Sequence, residues 1–386
     1  MKNGLATGIV LCVLTLPAAG LAEELTTDQK VDKLWKKSEL VNVGVNALQL
    51  QYASDASTRL SQDTAQTSPK QLPGGTGSSG TFVRRAELYA KGKVVSGLTY
   101  EFVYDLSAST DPVRDAFVDL KYIPMVDVRV GQFRIPFGIE NQTSSKKLLF
   151  VDRMLWTSPD NEQASSKVVT SLGSGLLQER DLGMRLSGKP LDGPVAIEYQ
   201  IAGINGSDKN TADKNNIKDL VGRVALSAMG KATLGGSLYL GRTFVTDATV
   251  FSNPPTNTQN ATATGDDLKK YRTGADLEIR PTDVLLVRAE YIAGADGVAV
   301  THQDKKFKGY YALVAYRLPF NLEPAVRFER LDPDTRTAHN AINRTTLGMN
   351  YYFAGDTKFQ LNYEFRDDKG NKNVGNMAIA QMQVSF

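Results

Sequence analysis

The sequence is poor in the residues that most often carry chemistry or covalent bracing. It holds one cysteine, two histidines and two tryptophans among 386 residues. A single cysteine excludes an intramolecular disulfide scaffold, and two histidines argue against a multi-histidine metal centre. His302 and His339 lie in no nucleophile motif, so neither an enzyme nor a bound cofactor or metal is expected. Beyond residue 22 no apolar run approaches the roughly 18–20 residues of a membrane helix, which excludes an α-helical membrane protein. A dominant charge is also missing. Lys and Arg number 45 against 42 Asp and Glu, a formal net charge of +3, so no nucleic acid or other polyelectrolyte partner is implied. With 41% hydrophobic and 23% charged residues, composition alone suggests a soluble protein of two or three domains.

The patterns that are present point elsewhere. Residues 1–22 read as a secretory signal peptide: Lys2 is followed by an apolar run over 8–16, and small residues over 17–22 offer a cleavage site. Cys12 follows Val10 and Leu11 inside the apolar run, which is not the context of a lipoprotein signal, and cleavage would remove it. Residues 23–40 carry Val31, Leu34, Trp35 and Ser38 at helical spacing and read as a short periplasmic segment, a tether or a plug.

From residue 41 to the end, alternation with a period of two dominates. In residues 358–366, Phe359, Leu361, Tyr363 and Phe365 share one parity and every residue between them is polar, as in a strand with one apolar and one hydrophilic face. Sixteen such segments are predicted, near 41–53, 81–92, 95–107, 114–123, 127–135, 177–188, 194–205, 216–229, 231–244, 267–280, 284–293, 306–318, 321–331, 343–353, 357–367 and 375–386. Short connections at Lys93-Val94, 124–126, 189–194, Gly230, 281–283, Pro319-Phe320 and 354–356 alternate with long polar ones. The long ones are 54–80, 108–113, 136–176, 206–215, 245–266, 294–305, 332–342 and 368–374. An even strand number with short turns at one end and long loops at the other is the pattern of bacterial outer-membrane barrels. The fold expected over 41–386 is therefore all-β, a transmembrane antiparallel β-barrel of 16 strands in the outer membrane of a Gram-negative cell. The final segment ends on an apolar face of Ala378, Ala380, Met382, Val384 and Phe386.

Unpaired backbone cannot sit in lipid, so the sheet must close, and sixteen strands enclose a water-filled lumen. Assigned to that lumen are eleven cations: Arg85, Lys121, Arg129, Arg185, Arg223, Arg272, Arg280, Arg288, Arg327, Lys358 and Arg366. Ten anions accompany them: Glu87, Glu101, Asp105, Asp119, Glu198, Asp276, Glu278, Glu290, Glu329 and Glu364. Arg85 with Glu87, Arg280 with Glu278, Arg288 with Glu290 and Arg327 with Glu329 are spaced to neutralise one another. Two readings of this balance stay open: a structurally braced lumen, or local segregation that leaves a positive path. Tyr52, Phe82, Tyr104, Tyr122, Phe353, Phe359 and Phe365 lie near strand ends, as interfacial girdles do, or follow strand propensity alone. Parity breaks twice. A bulge near Asn46-Ala47 would reconcile Val41, Val43 and Val45 with Leu48, Leu50 and Tyr52. In the fifth strand the direction of Arg134 stays open.

Residues 136–176 form the longest connection, the third on the long-loop end, and a structureless stretch of that length is usually functional. Leu148, Leu149, Phe150, Val151, Met154, Leu155 and Trp156 need somewhere to pack. Folding inward would bury them and bring Lys146, Lys147 and Arg153 to a constriction, opposed by Asp152. The alternative is a separate lid or a subunit contact.

This region also carries a family resemblance. Val-Arg-Val-Gly-Gln-Phe-Arg-Ile-Pro-Phe-Gly-Ile-Glu over 128–140, Ser144-Ser145, and Phe-Val-Asp-Arg-Met-Leu over 150–155 resemble the signature of the phosphate-selective porin O and P family. The resemblance implies a trimeric sixteen-stranded outer-membrane porin with an inward third loop, surrounded by outer-membrane lipid. It also implies passive diffusion of small hydrophilic solutes, anions such as phosphate among them. The alternative kept beside it is a non-selective or scaffold barrel that partners another outer-membrane complex. Candidate pore-lining residues are Lys146, Lys147, Arg153, Arg85, Lys121, Arg129, Arg185, Arg223, Arg272, Arg288 and Arg327.

Overall fold

The structure, a computed structural model, describes residues 40–55, 79–108, 111–157, 176–213, 215–245, 266–297, 304–368 and 375–386. The signal segment 1–22 and residues 23–39 of the expected periplasmic segment lie outside the described residues, as does His302.

Sixteen strands form in chain order. The first eight are β1 (Asn42–Asp55), β2 (Ser79–Val95), β3 (Leu98–Asp105), β4 (Val113–Ile123), β5 (Val126–Arg134), β6 (Arg180–Leu191), β7 (Val195–Ile204) and β8 (Asp219–Ala228). The second eight are β9 (Ala232–Val245), β10 (Asp266–Thr282), β11 (Leu285–Asp296), β12 (Lys305–Tyr316), β13 (Leu322–Asp332), β14 (Ile342–Ala354), β15 (Thr357–Asp368) and β16 (Met377–Val384). Every strand pairs antiparallel with its sequence neighbours, and β1 pairs with β16 to close the barrel. Closure leaves no edge strand, the requirement for a sheet in lipid. No helix among the described residues is long and apolar enough to cross a membrane.

The two faces separate as the alternation requires. Along β15, Phe359, Leu361, Tyr363 and Phe365 point away from the buried face, whereas Lys358, Gln360, Asn362 and Glu364 are buried. The apolar parity is about half exposed all round the barrel, from Leu50 and Leu88 to Val224, Leu347 and Leu361.

Closure depends on the last residue. Phe386 and Val45 exchange both backbone hydrogen bonds, at 3.0 and 2.9 Å. Beside them, a Cβ on Gly44 would come within 2.4 Å of the Phe386 carbonyl oxygen, so the seam admits only glycine at this position. The bulge expected in β1 is present: the β1–β2 register shifts between Val45 and Ala47, and Asn46 turns to the Glu87 carboxylate at 2.6 Å.

The structure corrects several details of the sequence reading. The β2–β3 turn falls at residues 96–97, with Gly97 at φ 80°, and not at Lys93-Val94; strand pairing simply continues to Val95 and Leu98. Phe82 does not face outward. It packs against a small inner cluster of Ala53, Val151, Met377 and Ile379. Arg288 does not pair with Glu290; it pairs with Glu278 across the β10–β11 ladder at 2.6 Å. The buried face of β12 is apolar, with Phe307, Gly309, Tyr311, Leu313 and Ala315, because apolar residues of the third long connection lie against it.

Candidate functional site

The third connection leaves β5 and is seated by the residues that its motif contains. Ile135 and Phe137 are buried, and Gly138 takes φ 64°, a left-handed turn that also avoids the Glu290 carboxylate, 2.3 Å from where a Cβ would stand. A single helical turn follows, α1 (Ile139–Gln142), whose Glu140 N–H donates to Glu290 Oε1 at 2.7 Å. A 3₁₀ turn at Ser145–Lys147 carries the tip, and the chain then returns through Trp156 to residue 157.

The wall grips this segment chiefly by its backbone. Lys358 Nζ and Gln360 Nε2 donate to the Leu148 carbonyl at 2.5 and 3.3 Å, and Gln383 Nε2 to the Lys146 carbonyl at 2.9 Å. Arg344 and Arg327 donate to the Arg153 and Asp152 carbonyls at 2.5 and 2.9 Å. In the other direction, the Val151 and Leu155 N–H groups donate to Asn362 and Glu329 at 3.0 and 3.1 Å. Buried backbone groups need such partners, and here strand side chains supply them.

Apolar packing completes the seat. Phe137, Phe150, Met154, Leu155, Trp156 and Leu177 share one buried cluster with Ile204, Val221, Ile292, Phe307, Tyr311 and Leu331 of the strands. Trp156 stacks on Tyr311 with ring centroids 5.7 Å apart. Three strand glycines make room for three rings. A Cβ on Gly274, Gly309 or Gly348 would stand 2.7, 2.8 or 2.9 Å from Phe137, Trp156 or Phe150 respectively.

Most charges on the buried face are used internally. Arg129 holds Asp119 through two bonds of 2.7 and 2.8 Å, Arg223 holds Asp276, and Arg114 holds Asp105 at 2.7 Å. Glu329 receives Arg327 at 3.0 Å and Arg344 at 2.6 Å, while Arg344 also reaches Glu364. Glu179 collects three guanidiniums, Arg134, Arg153 and Arg180. Arg134 thereby turns toward the loop, and its second contact is the Asn141 carbonyl.

The candidates named from sequence fall into four groups. Arg153, Arg272 and Arg327 are buried and spend their guanidiniums on loop carbonyls, Arg272 on that of Leu176 at 2.6 Å. Arg85, Arg129, Arg185 and Arg223 stay on the strand wall; Arg85 donates to Gln49, and Arg185 stands over the Phe133 ring at 5.5 Å. Lys121 is exposed at the short-turn end, 3.9 Å from Asp127. Lys146, Lys147 and Arg288 come together. Between the loop tip, β1–β3 and β10–β11 lies a cavity of about 520 Å³ lined by Asn46, Tyr89, Lys91, Glu101, Gln142, Thr143, Ser144, Lys146, Lys147, Arg280 and Arg288.

That lining holds five cations and one carboxylate. Arg280 and Arg288 share Glu278, and Lys146 faces Asp356 in the β14–β15 turn at 3.7 Å. Lys91 stands over the Tyr89 ring, and Lys147 is exposed, with no carboxylate partner among the described residues. The tip therefore reaches the short-turn end of the barrel. Sequence reasoning missed Lys91 as a candidate, although it shares parity with Glu87 and Tyr89. It also missed Arg84, which pairs with Asp152 at 2.9 Å: the β1–β2 register skips Arg84, and this bulge buries two successive arginines.

A closed sixteen-strand antiparallel barrel with a charged inner face and an apolar outer one is the architecture of outer-membrane porins, which are channels and not enzymes. The family model described as "Phosphate-selective porin O and P" matches residues 63–386, and the chain belongs to that family. Among individual relatives, an uncharacterized protein of Aquifex aeolicus (strain VF5) is 25% identical over 305 residues, covering 72% of this chain and 68% of that protein. Solved structures share the fold at low identity. The outer-membrane channel DcaP of Acinetobacter baumannii gives a TM-score of 0.56 at 12% identity, covering 90% of this chain and 97% of that one. An anion-selective porin from Comamonas acidovorans gives 0.56 at 15% identity, covering 90% and 99%.

Proposed function

We propose that this protein is an exported outer-membrane porin whose third long connection lies across the lumen and leaves a path that prefers small anions, phosphate and related oxyanions among them. One observation carries the anion preference. The charges of the barrel nearly cancel as a whole, but Lys91, Lys146, Lys147, Arg280 and Arg288 line the open cavity beside the loop tip against Glu101, and with Glu278 and Asp356 also counted as their partners the cations still outnumber the carboxylates by two. Paired charges elsewhere contribute little field at a distance, so the local excess sets the potential a passing ion meets. Lysine and arginine in a narrow passage favour anions. The anion-selective barrel from Comamonas acidovorans provides a precedent on the same fold.

In this reading residues 1–22 are removed on export, residues 23–40 stay in the periplasm, and the long connections face outside. Homotrimeric assembly is part of the same proposal, since OmpT of Vibrio cholerae, with a TM-score of 0.53, was solved in a trimer form. The test is a planar bilayer under a KCl gradient. The reversal potential is expected on the anion side, with phosphate reducing chloride current. A reversal potential at zero would instead favour the braced, non-selective barrel, and one on the cation side would overturn the assignment.

A further inference from the structure

The outward face is apolar over most of its height, yet one sector carries cations near the long-connection end. Arg242 on β9, Lys269 on β10, and Lys306 and Lys308 on β12 are all exposed. Their orientation follows from β12, where Phe307, Gly309 and Tyr311 are buried and Lys306, Lys308 and Tyr310 alternate with them. None of these four cations is paired with a carboxylate among the described residues. Arg330 on β13 lies on the same face, opposite Tyr310 in the ladder, and touches only Asn343 at 3.3 Å among the contacts that position it. Acids also lie in this sector: Asp267, two residues before Lys269 on β10, Asp304 just before β12, Asp332, opposite Lys308, and Asp367, which bonds Asn343.

Two features make the patch unusual. Lys269 and Arg242 sit directly opposite one another in the β9–β10 ladder. Like charges in that position repel, and an anion held between them relieves the repulsion. Below the cations, Tyr271, Tyr291 and Tyr310 stand exposed around Ala293 and Ala295, a shallow shelf of small residues next to Lys306 and Lys308. Tyrosines at such a level sit where headgroups meet acyl chains, and lysine stems extend a charge from apolar surface into the headgroup layer.

We infer that this sector of β9–β13 binds a phosphorylated glycolipid of the outer leaflet, its phosphates held by Lys269, Arg242, Lys306 and Lys308 and its acyl chains lying on the alanine–tyrosine shelf. Lys269 and Lys306 are two strand spacings apart across the sheet and two residues apart along it, about 12 Å, so the patch suits a headgroup with more than one phosphate. The occupant is a lipid and not a free phosphate because the cations crown a lipid-facing surface and do not line the cavity. The inference rests on the proposed orientation, with the long connections outside.

The test is native mass spectrometry of the detergent-purified full-length protein with diphosphoryl lipid A, beside phosphatidylcholine. Wild type is expected to retain lipid A and not phosphatidylcholine. The K269E/K306E/K308E variant should bind lipid A roughly a hundredfold more weakly, given what one basic residue is worth at an anionic membrane surface. Its single-channel conductance should match wild type, which shows that the variant has folded. The control K218E, on the same rim but paired with Asp213, should bind normally. Equal lipid A binding by wild type and the triple variant would overturn the site. Displacement of lipid A by free glucosamine phosphate at similar concentration would overturn the lipid assignment. Surface labelling of whole cells is read separately: long connections found in the periplasm would overturn the leaflet, and labelling at the cell surface supports it.

Discussion

Arg327 reaches from β13 to the Glu140 carboxylate, 3.2 Å away, and places its other nitrogen 2.9 Å from the Asp152 carbonyl. One strand side chain thus clasps both the outgoing and the returning limb of the third connection. Removing one partner of a buried charge pair costs about 3–5 kcal/mol, because the other is left stranded. Arg327→Ala is therefore expected to free the loop without opening the barrel. Single-channel conductance should rise and limited proteolysis should cut within 135–157, while the heat-dependent gel mobility of the folded barrel stays unchanged.

Gly309 gives a second route to the same state from the strand side. Because a Cβ there would stand 2.8 Å from Trp156, Gly309→Val should push the indole from its stack on Tyr311. Trp156→Ala removes the same contact from the loop side, and truncating a buried tryptophan costs about 3–5 kcal/mol of local packing. Both variants should show the protease pattern of Arg327→Ala. An unchanged pattern in both would mean that the aromatic seat does not hold the loop.

Charge reversal separates lining residues from bracing ones. Lys146→Glu with Lys147→Glu replaces two of the five cavity cations by anions, so the reversal potential should move strongly toward cations. Lys121→Glu, at the exposed short-turn rim, should move it little. The difference should shrink in 1 M salt, where the Debye length is about 3 Å.

The seam gives a prediction about assembly. Gly44→Val places side-chain atoms onto the Phe386 carbonyl, and deleting Phe386 removes both bonds to Val45. Each should lower the fraction of heat-modifiable, folded barrel recovered from membranes, whereas Phe386→Tyr, which keeps the backbone bonds, should restore it.

Much of this architecture was legible because lipid on one side and water on the other force a period of two. Strand ends came within a few residues, and the break in parity near Asn46 marked a real bulge. The same rule failed where bulges turn consecutive residues to one side. Arg84 joins Arg85 on the buried face, and Arg114 joins Asp105 there, beside a shift in the β3–β4 ladder. It failed again where the loop supplies an apolar partner, so Phe82, Met377 and Ile379 lie inside against Val151. Of the candidate site, the two lysines on the long connection stood out in the sequence. Which strand cations share their space was not, because Lys91, Arg280 and Arg288 come from distant segments that only barrel closure brings opposite the tip.

The grip on the third connection has a consequence for how such a channel changes. Strand side chains hold the Lys146, Leu148, Asp152 and Arg153 carbonyls and the Val151 and Leu155 N–H groups, atoms that every residue type carries. The Lys147 side chain takes no part in that hold, and that of Lys146 adds only a partly exposed ion pair with Asp356 at 3.7 Å. The course of the loop and the charge it presents are thus separate variables: in the channel proposed above, substitutions at the tip would retune which solutes pass while the path they follow stays fixed.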